Sequence, residues 1–110
     1  MIEIIIKDYL SRALDCPVKL EKDGRPFGRS VFIERTGGRG RFLRESTVAI
    51  QSYASSMYDA AALNEEVILA MQNLIEVDDV THVELNSNYN YTDTTTKEYR
   101  YQAVFDITHY

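Results

Sequence analysis

The chain has 110 residues, of which 45% are hydrophobic and 26% charged, and this composition is typical of one folded domain rather than a disordered segment. Its formal net charge is −5, which argues against general binding of nucleic acid. No apolar run approaches the ~20 residues of a membrane span, and acids at Glu3 and Asp8 argue against a signal peptide, so we expect synthesis in the cytoplasm and no membrane partner.

The charges are distributed unevenly along the sequence. Residues 25–44 contain six arginines against a single acid, Glu34, whereas residues 51–96 contain eight acids and neither lysine nor arginine. This pattern predicts a basic half and an acidic half, and copies of such a protein can meet head to tail with complementary charge. Two ordinary solvated faces explain the charge pattern equally well.

Apolar residues in the first 14 positions recur with the i, i+3, i+4, i+7 spacing of an amphipathic helix. Pro17 ends this helix at or before Cys16, because the residue before a proline is restricted away from helical geometry. Residues 17–20 are then predicted as a short strand and residues 22–26, with Gly24 in the centre, as a turn.

Two alternating segments, residues 30–36 and 43–53, predict the strands of a β-hairpin. Residues 37–41, Gly-Gly-Arg-Gly-Arg, separate them and predict a flexible loop, because glycine leaves the backbone free. The arginines of this loop have no acidic partner close by in the sequence. The hairpin should therefore have a mobile, arginine-rich tip.

A long amphipathic helix follows, with Ser56 as its N-cap and Asp59 three residues later, at the spacing of a capping box. The only polar residue in its apolar stripe is Asn64, either at the edge of the stripe or as a packing polar group. The stripe consists of Met57, Ala60, Ala61, Asn64, Val67, Ile68, Met71, Leu74 and Ile75.

The C-terminal third predicts a second hairpin. Residues 80–89 and 99–107 alternate in the manner of strands, and the polar residues 90–97 form the loop between them. The element order is thus α-β-β-β-α-β-β, which predicts an α+β fold: an antiparallel β-sheet with two helices packed on one face, in a single domain over residues 1–110.

No catalytic, cofactor or metal site is predicted. His82 and His109 lie in strands, where a solvated or hydrogen-bonded histidine is the better explanation, and Cys16 is the only cysteine. Residues 38–40 resemble the start of a phosphate loop but lack the Gly-Lys-Ser/Thr that completes it. The acids in residues 76–79 are interpreted as solvated rather than as cation ligands.

The arginine-rich hairpin is the candidate binding element. It suits an acidic protein surface, and contact with nucleic-acid phosphates is the alternative, which would be strongly salt-dependent. The candidate interface residues are Arg35, Arg39, Arg41 and Arg44, with Asp59, Glu65, Glu66 and Glu84 on the acidic side.

Three segments, FIERTGGRG, VAIQSYASSMYDAAALNEEV and NYNYTDTTTKEYRYQAVFDITHY, resemble small minor structural proteins from prophages of Gram-positive bacteria. These are similar to the tail terminator, or tail completion, proteins of long-tailed bacteriophages, and the resemblance runs from Ile2 to Tyr110.

The resemblance implies a non-enzymatic subunit of the virion tail that assembles into a ring, typically of six copies. The ring would stop growth of the tail tube, and it would offer a docking surface to the head-side neck protein. DNA would pass through its lumen only as cargo. An acidic lining suits sliding DNA, so we expect Arg39, Arg41 and Arg44 to lie outside the channel.

Two other functions remain open from the sequence. The chain fits another neck component, such as a head-closure or adaptor protein, and it fits a small regulatory domain that binds nucleic acid. A ring seen by electron microscopy favours a virion role, and salt-dependent DNA binding favours the regulatory domain.

Overall fold

A computed structural model describes residues 2–20, 28–41 and 43–110 of the chain. The helices are α1 (Ile2–Ala13) and α2 (Met57–Gln72), and a single turn of 3₁₀ helix, Leu74–Glu76, follows α2. The strands are β1 (Val18–Lys19), β2 (Ser30–Arg39), β3 (Arg44–Ala54), β4 (Val80–Asn90) and β5 (Tyr99–His109).

The strands form one sheet in the order β1-β2-β3-β5-β4. The two-residue β1 runs parallel to β2, and all other neighbouring strands are antiparallel. The longest ladder joins β3 to β5 without interruption, from Arg44 opposite His109 to Ala54 opposite Tyr99. The centre of the sheet is therefore made by strands that lie far apart in the sequence.

Both helices cover the same face of this sheet. Their apolar residues form one core cluster with alternate residues of the strands, as the period-2 geometry of a strand requires. The fully buried members with the largest side chains are Phe105, Ile6, Leu10, Ile33, Ile50, Leu63, Met71, Leu74 and Ile107.

The opposite face of the sheet, which we call the open face, carries polar side chains that bond to one another across strands. Gln51 Nε2 donates to Gln102 Oε1 at 2.9 Å. Asp106 accepts from Thr47 Oγ1 on β3 and from Asn86 Nδ2 on β4, both at 2.9 Å. These cross-strand hydrogen bonds hold the polar side chains of the open face in place. Among the described residues, no second layer of structure covers this face.

The predicted α+β class, the element order and the two helices on one face are confirmed. The sheet is mixed rather than purely antiparallel, because β1 is parallel to β2. The predicted turn at residues 22–26 lies outside the described residues. In the described part of the chain, neither helix combines the length and apolar character needed to span a membrane.

The predicted loop at residues 37–41 is wrong for its first three residues. Gly37, Gly38 and Arg39 continue β2 and pair with β3, after a bulge at Thr36. The turn itself begins at Gly40, whose φ is +101° and whose added Cβ would collide with the carbonyl oxygen of Leu43. Glycine is required there because a side chain fits neither the dihedral angle nor the space.

Candidate functional site

The far end of the β2–β3 hairpin is exposed on both faces. Residues 34–41 and 43–45 are all solvent-exposed, whereas the first four residues of β2 are buried. The segment 34–45 carries four arginines and two glutamates, a formal charge of +2 (4 − 2) in a chain whose net charge is −5. We call this segment the arginine tip.

Arg39 has an acidic partner that sequence reasoning missed. Its Nε donates to Glu45 Oε2 at 3.0 Å, and its Nη2 lies 2.9 Å from the same oxygen. The two residues are register partners across the hairpin. The side chain of Arg39 remains 81% exposed in this ion pair, so it keeps most of its surface for a further contact. The prediction that the arginines lack a local acidic partner is therefore wrong for Arg39.

Arg35 lies on the helix side of the sheet, where its Nε is 3.7 Å from Glu3 Oε2 of α1. The second carboxylate oxygen of Glu3 is buried and has no hydrogen-bond partner in the described chain. The side chain of Arg35 is 50% exposed, and its ion pair with Glu3 holds it within its own subunit. Arg44 lines a recess with Glu3 and Arg35, together with Asp79 and His109, at this end of the molecule. Arg41 is exposed in the turn.

The candidate acids do not share one surface. Asp59 lies in the first turn of α2, which begins three residues after the end of β3. An eleven-residue strand is roughly 34 Å long, so Asp59 sits at the opposite end of the molecule from the arginine tip. Glu65 is exposed further along α2. Glu84 is opposite Asp106 in the β4–β5 ladder, which places it on the open face.

Glu66 is already bound within the subunit. Arg29 Nη2 donates to Glu66 Oε2 at 2.8 Å and to Asp15 Oδ1 at 2.8 Å. The hydrogen bond that Arg29 donates to Glu66 raises the pKa of the Arg29 guanidinium above its ordinary value, against a smaller opposing effect of burial. The acidic half predicted from the sequence is thus divided between the helix layer and the open face, and Glu66 links α2 to Arg29, the residue that precedes β2.

The remaining reactive side chains occupy ordinary structural positions. His109 is buried, and its Nε2 and Nδ1 lie 2.7 Å and 3.1 Å from Ser46 Oγ and the Tyr110 carbonyl oxygen. His82 is solvated at 61% exposure. The predictions of a hydrogen-bonded or solvated strand histidine are confirmed. Burial raises the pKa of the Cys16 thiol, partly offset by Arg29, so its reactive thiolate is less populated than in a free cysteine.

Sequence reasoning also missed an aromatic cluster around Arg100 on the open face. The Arg100 guanidinium carbon lies 4.5 Å from the centroid of the Tyr91 ring, and its Nη1 donates to Tyr53 Oη at 3.0 Å. Tyr53 packs edge-to-face on Phe32 with ring centroids 5.3 Å apart. The alternation of tyrosine in NYNY, residues 88–91, is the sequence signal for this cluster. Tyr53 and Tyr91 thus have partners inside the subunit.

Among residues 2–20, 28–41 and 43–110, no three side chains of His, Cys, Asp or Glu lie together in a way that could hold a metal ion. The arrangement offers a projecting basic tip, an ordered open face and a helix layer. In comparisons with known proteins, no protein-family model and no curated protein matches the chain.

Proposed function

We propose that the protein is a non-enzymatic structural subunit of a long-tailed phage, which caps the tail tube as a ring, with six copies implied by the resemblance, and presents a surface for joining the head. Its partners are then further copies of itself, the tail tube protein and the head-side neck protein, with DNA passing through the ring. It is made in the host cytoplasm and resides in the virion tail.

The exposed arginine tip is the observation that carries this proposal. A β-hairpin end that is exposed on both faces, with a net charge of +2 on an acidic chain, is suited to docking on an acidic protein surface. Exposed ion pairs contribute only ~0–1 kcal/mol each, so the tip sets the register and rate of approach while apolar and tyrosine contacts supply most of the affinity.

The charge of the open face supports the same proposal. Glu34, Glu45, Glu84 and Asp106 lie on this face by their register, against the two arginines Arg39 and Arg100. An excess of acids weakens attraction to DNA phosphates, so this face suits the wall of a channel through which DNA slides. With the open face inward, Arg39 and the arginine tip would lie at the rim of the ring rather than along its wall.

Reversing Arg39, Arg41 and Arg44 to Glu tests the docking role. We expect the triple variant to fold normally but to attach slowly or not at all to tail tubes assembled from the tail tube protein, leaving overlong tubes. The readout is the number and length of terminated tubes in electron micrographs. A variant with Arg12, Lys19 and Lys97 changed to Glu, three exposed residues elsewhere, is the matched control for net charge.

Normal termination by the Arg39/Arg41/Arg44 variant would exclude the arginine tip as the docking element. Binding of the isolated wild-type protein to DNA, weakening steeply as salt is raised, would instead favour a regulatory nucleic-acid-binding domain. A ring that attaches to the head connector but not to tail tubes would assign the chain to another position in the neck.

A further inference from the structure

The two edge strands of the sheet lack an outer neighbour at the same level along the strand direction. β4 pairs only with β5, so its outer edge is free along all eleven residues in the described structure. On the other side, β1 covers β2 only at Val31 and Phe32. From Glu34 to Arg39, β2 has no outer strand among the described residues. An open strand edge presents unpaired N–H and C=O groups to any strand that can align with it.

We propose that β4 of one copy pairs antiparallel with the free 34–39 segment of β2 in the next copy, so that the sheet continues from subunit to subunit. The proposal rests on the ring proposed above and specifies the contact that builds it. Within one subunit β2 and β4 already run antiparallel, because three antiparallel pairings connect them. A neighbour rotated about an axis parallel to the strands therefore presents β2 to β4 in antiparallel orientation.

The register of the sheet fixes which residues meet. Glu84 is opposite Asp106, Asp106 is opposite Thr47, and Thr47 is opposite Gly37. These four residues form one row across the open face. A closed ring allows no net translation along its axis. If the neighbour continues this row, its Gly37 lies opposite Glu84.

Charge favours this pairing over the pairing of two β4 strands. Arg39 is two residues beyond Gly37 on the same face, within reach of the Glu84 side chain of the neighbouring copy as a diagonal pair. Glu84 is the only formally charged residue of β4, and two β4 strands would bring two such glutamates together without a lysine or arginine. A pair of β4 strands would also close a two-fold dimer and build no ring.

The bulges limit the length of the contact. β4 has bulges at Thr81 and Asn86, and the residues between them, 82–85, follow the ladder regularly. The bulge at Asn86 bends β4. Along the strand direction, this bulge lies close to the position at which β1 covers the edge of β2. The paired segment is thus short, and it ends before β1 would block it.

Engineered disulfides test this contact. In a Cys16→Ala background, Gly37→Cys and Glu84→Cys are introduced together, since no atom lies within 4 Å of a Cβ built on Gly37. The two positions are separated by three strand spacings, roughly 14 Å within one subunit, which is too far for an internal disulfide. We expect mild oxidation to give a ladder of dimers, trimers and larger species on a non-reducing gel.

Two matched control variants test whether the disulfide is specific to the proposed contact. Gly37→Cys combined with Tyr58→Cys, an 81% exposed position in the first turn of α2, should give no ladder. Glu84→Cys alone should remain monomeric on the gel, and a prominent dimer from it would overturn the proposal in favour of pairing between two β4 strands.

Hydrogen exchange on the unmodified protein provides a second measurement that depends on no variant. Amides in residues 34–39 and 82–85 should gain protection when the protein is assembled on tail tubes or concentrated into oligomers. Oligomers that show neither this protection nor the ladder would overturn the pairing and leave the ring function standing. A ladder from a protein that never terminates tubes would overturn the ring function alone, and a protein that stays monomeric under both conditions would overturn both.

Discussion

Asn64 is the most unusual single residue of the core. It is 1% exposed on the inner face of α2, its Nδ2 reaches Asn88 Oδ1 only at 3.5 Å, and its Oδ1 has no partner among the described residues. Of the two roles that its place in the apolar stripe allowed, the structure shows a packed polar group rather than an edge position. A buried amide oxygen without a hydrogen bond costs roughly 1–3 kcal/mol.

Replacing Asn64 by leucine should therefore raise the free energy of unfolding by about 1 kcal/mol, because the unpaired oxygen is removed and leucine keeps the branched shape and the number of side-chain heavy atoms. Asn64→Asp should lower it by roughly 3 kcal/mol or more, because it buries a charge without a partner. Urea denaturation followed by circular dichroism measures both values. A less stable leucine variant would show that the amide makes a stronger bond than its geometry indicates.

The residues of the candidate site differ in how far the sequence can predict them. Side-chain exposure of Arg39 and Arg41 follows from their place beside glycines in a polar segment. The partners of Arg35 and Arg39 do not follow, because Glu3 lies 32 positions away and Glu45 becomes a partner only when β2 extends through the two glycines. Ion pairs depend on the register of the strands and on where the helices pack. Neither can be predicted from the local alternation of polar and apolar residues.

At the scale of the element, α2 is the best-predicted part of the fold. The Asp59 N–H donates to Ser56 Oγ at 3.1 Å, and Ser56 has the extended backbone of an N-cap residue, so the predicted cap is confirmed. The helix ends at Gln72, and the Asn73 N–H then bonds to the Ala70 carbonyl oxygen. A local hydrogen bond and a local apolar stripe define this element, and both are visible in the sequence.

Ser56→Ala should lower the free energy of unfolding by about 1 kcal/mol, because it leaves an N–H of the first helical turn without its acceptor. Ser55→Ala is the matched control: Ser55 is exposed and lies one residue outside the cap, so its change should stay within about 0.5 kcal/mol. Chemical denaturation of the three proteins in parallel makes the comparison. Equal losses in both variants would contradict a specific capping role.

In the strands, pairing with a neighbouring strand overrides the local sequence preference. Glycine disfavours strands, yet Gly37 and Gly38 pair with Thr47 and Ser46 because β3 supplies a ready ladder. A Cβ on Gly38 would lie only 3.1 Å from the Glu45 carbonyl oxygen, so the tight approach itself favours glycine. The parallel direction of β1 could not be predicted from the sequence either, since a two-residue strand carries too little pattern to fix its partner or its orientation.

At the scale of the whole molecule, one core joins every major element. Residues of both helices and all five strands belong to the same cluster of buried side chains. No subset of elements in the described fold keeps a core of its own. A chain of this size with a single core is expected to unfold in one cooperative step.

We therefore expect urea unfolding to give coincident transitions by far-ultraviolet circular dichroism and by tyrosine fluorescence. The chain has eight tyrosines and no tryptophan, so the fluorescence reports mainly on β3, β4 and β5 and the circular dichroism on the helices as well. The measurement is made at a concentration where the protein is monomeric. Separate midpoints for the two signals would show that the sheet and the helix layer unfold independently.

The strand order has a consequence for how the chain is made. β5 is the last strand in the sequence, but it lies between β3 and β4 in the sheet. While the ribosome is still synthesising residues 99–109, β4 has no neighbour to pair with, and Phe105 and Ile107 are absent from the core. The nascent chain must therefore hold an incomplete sheet until β5 emerges and inserts between two strands that are already present.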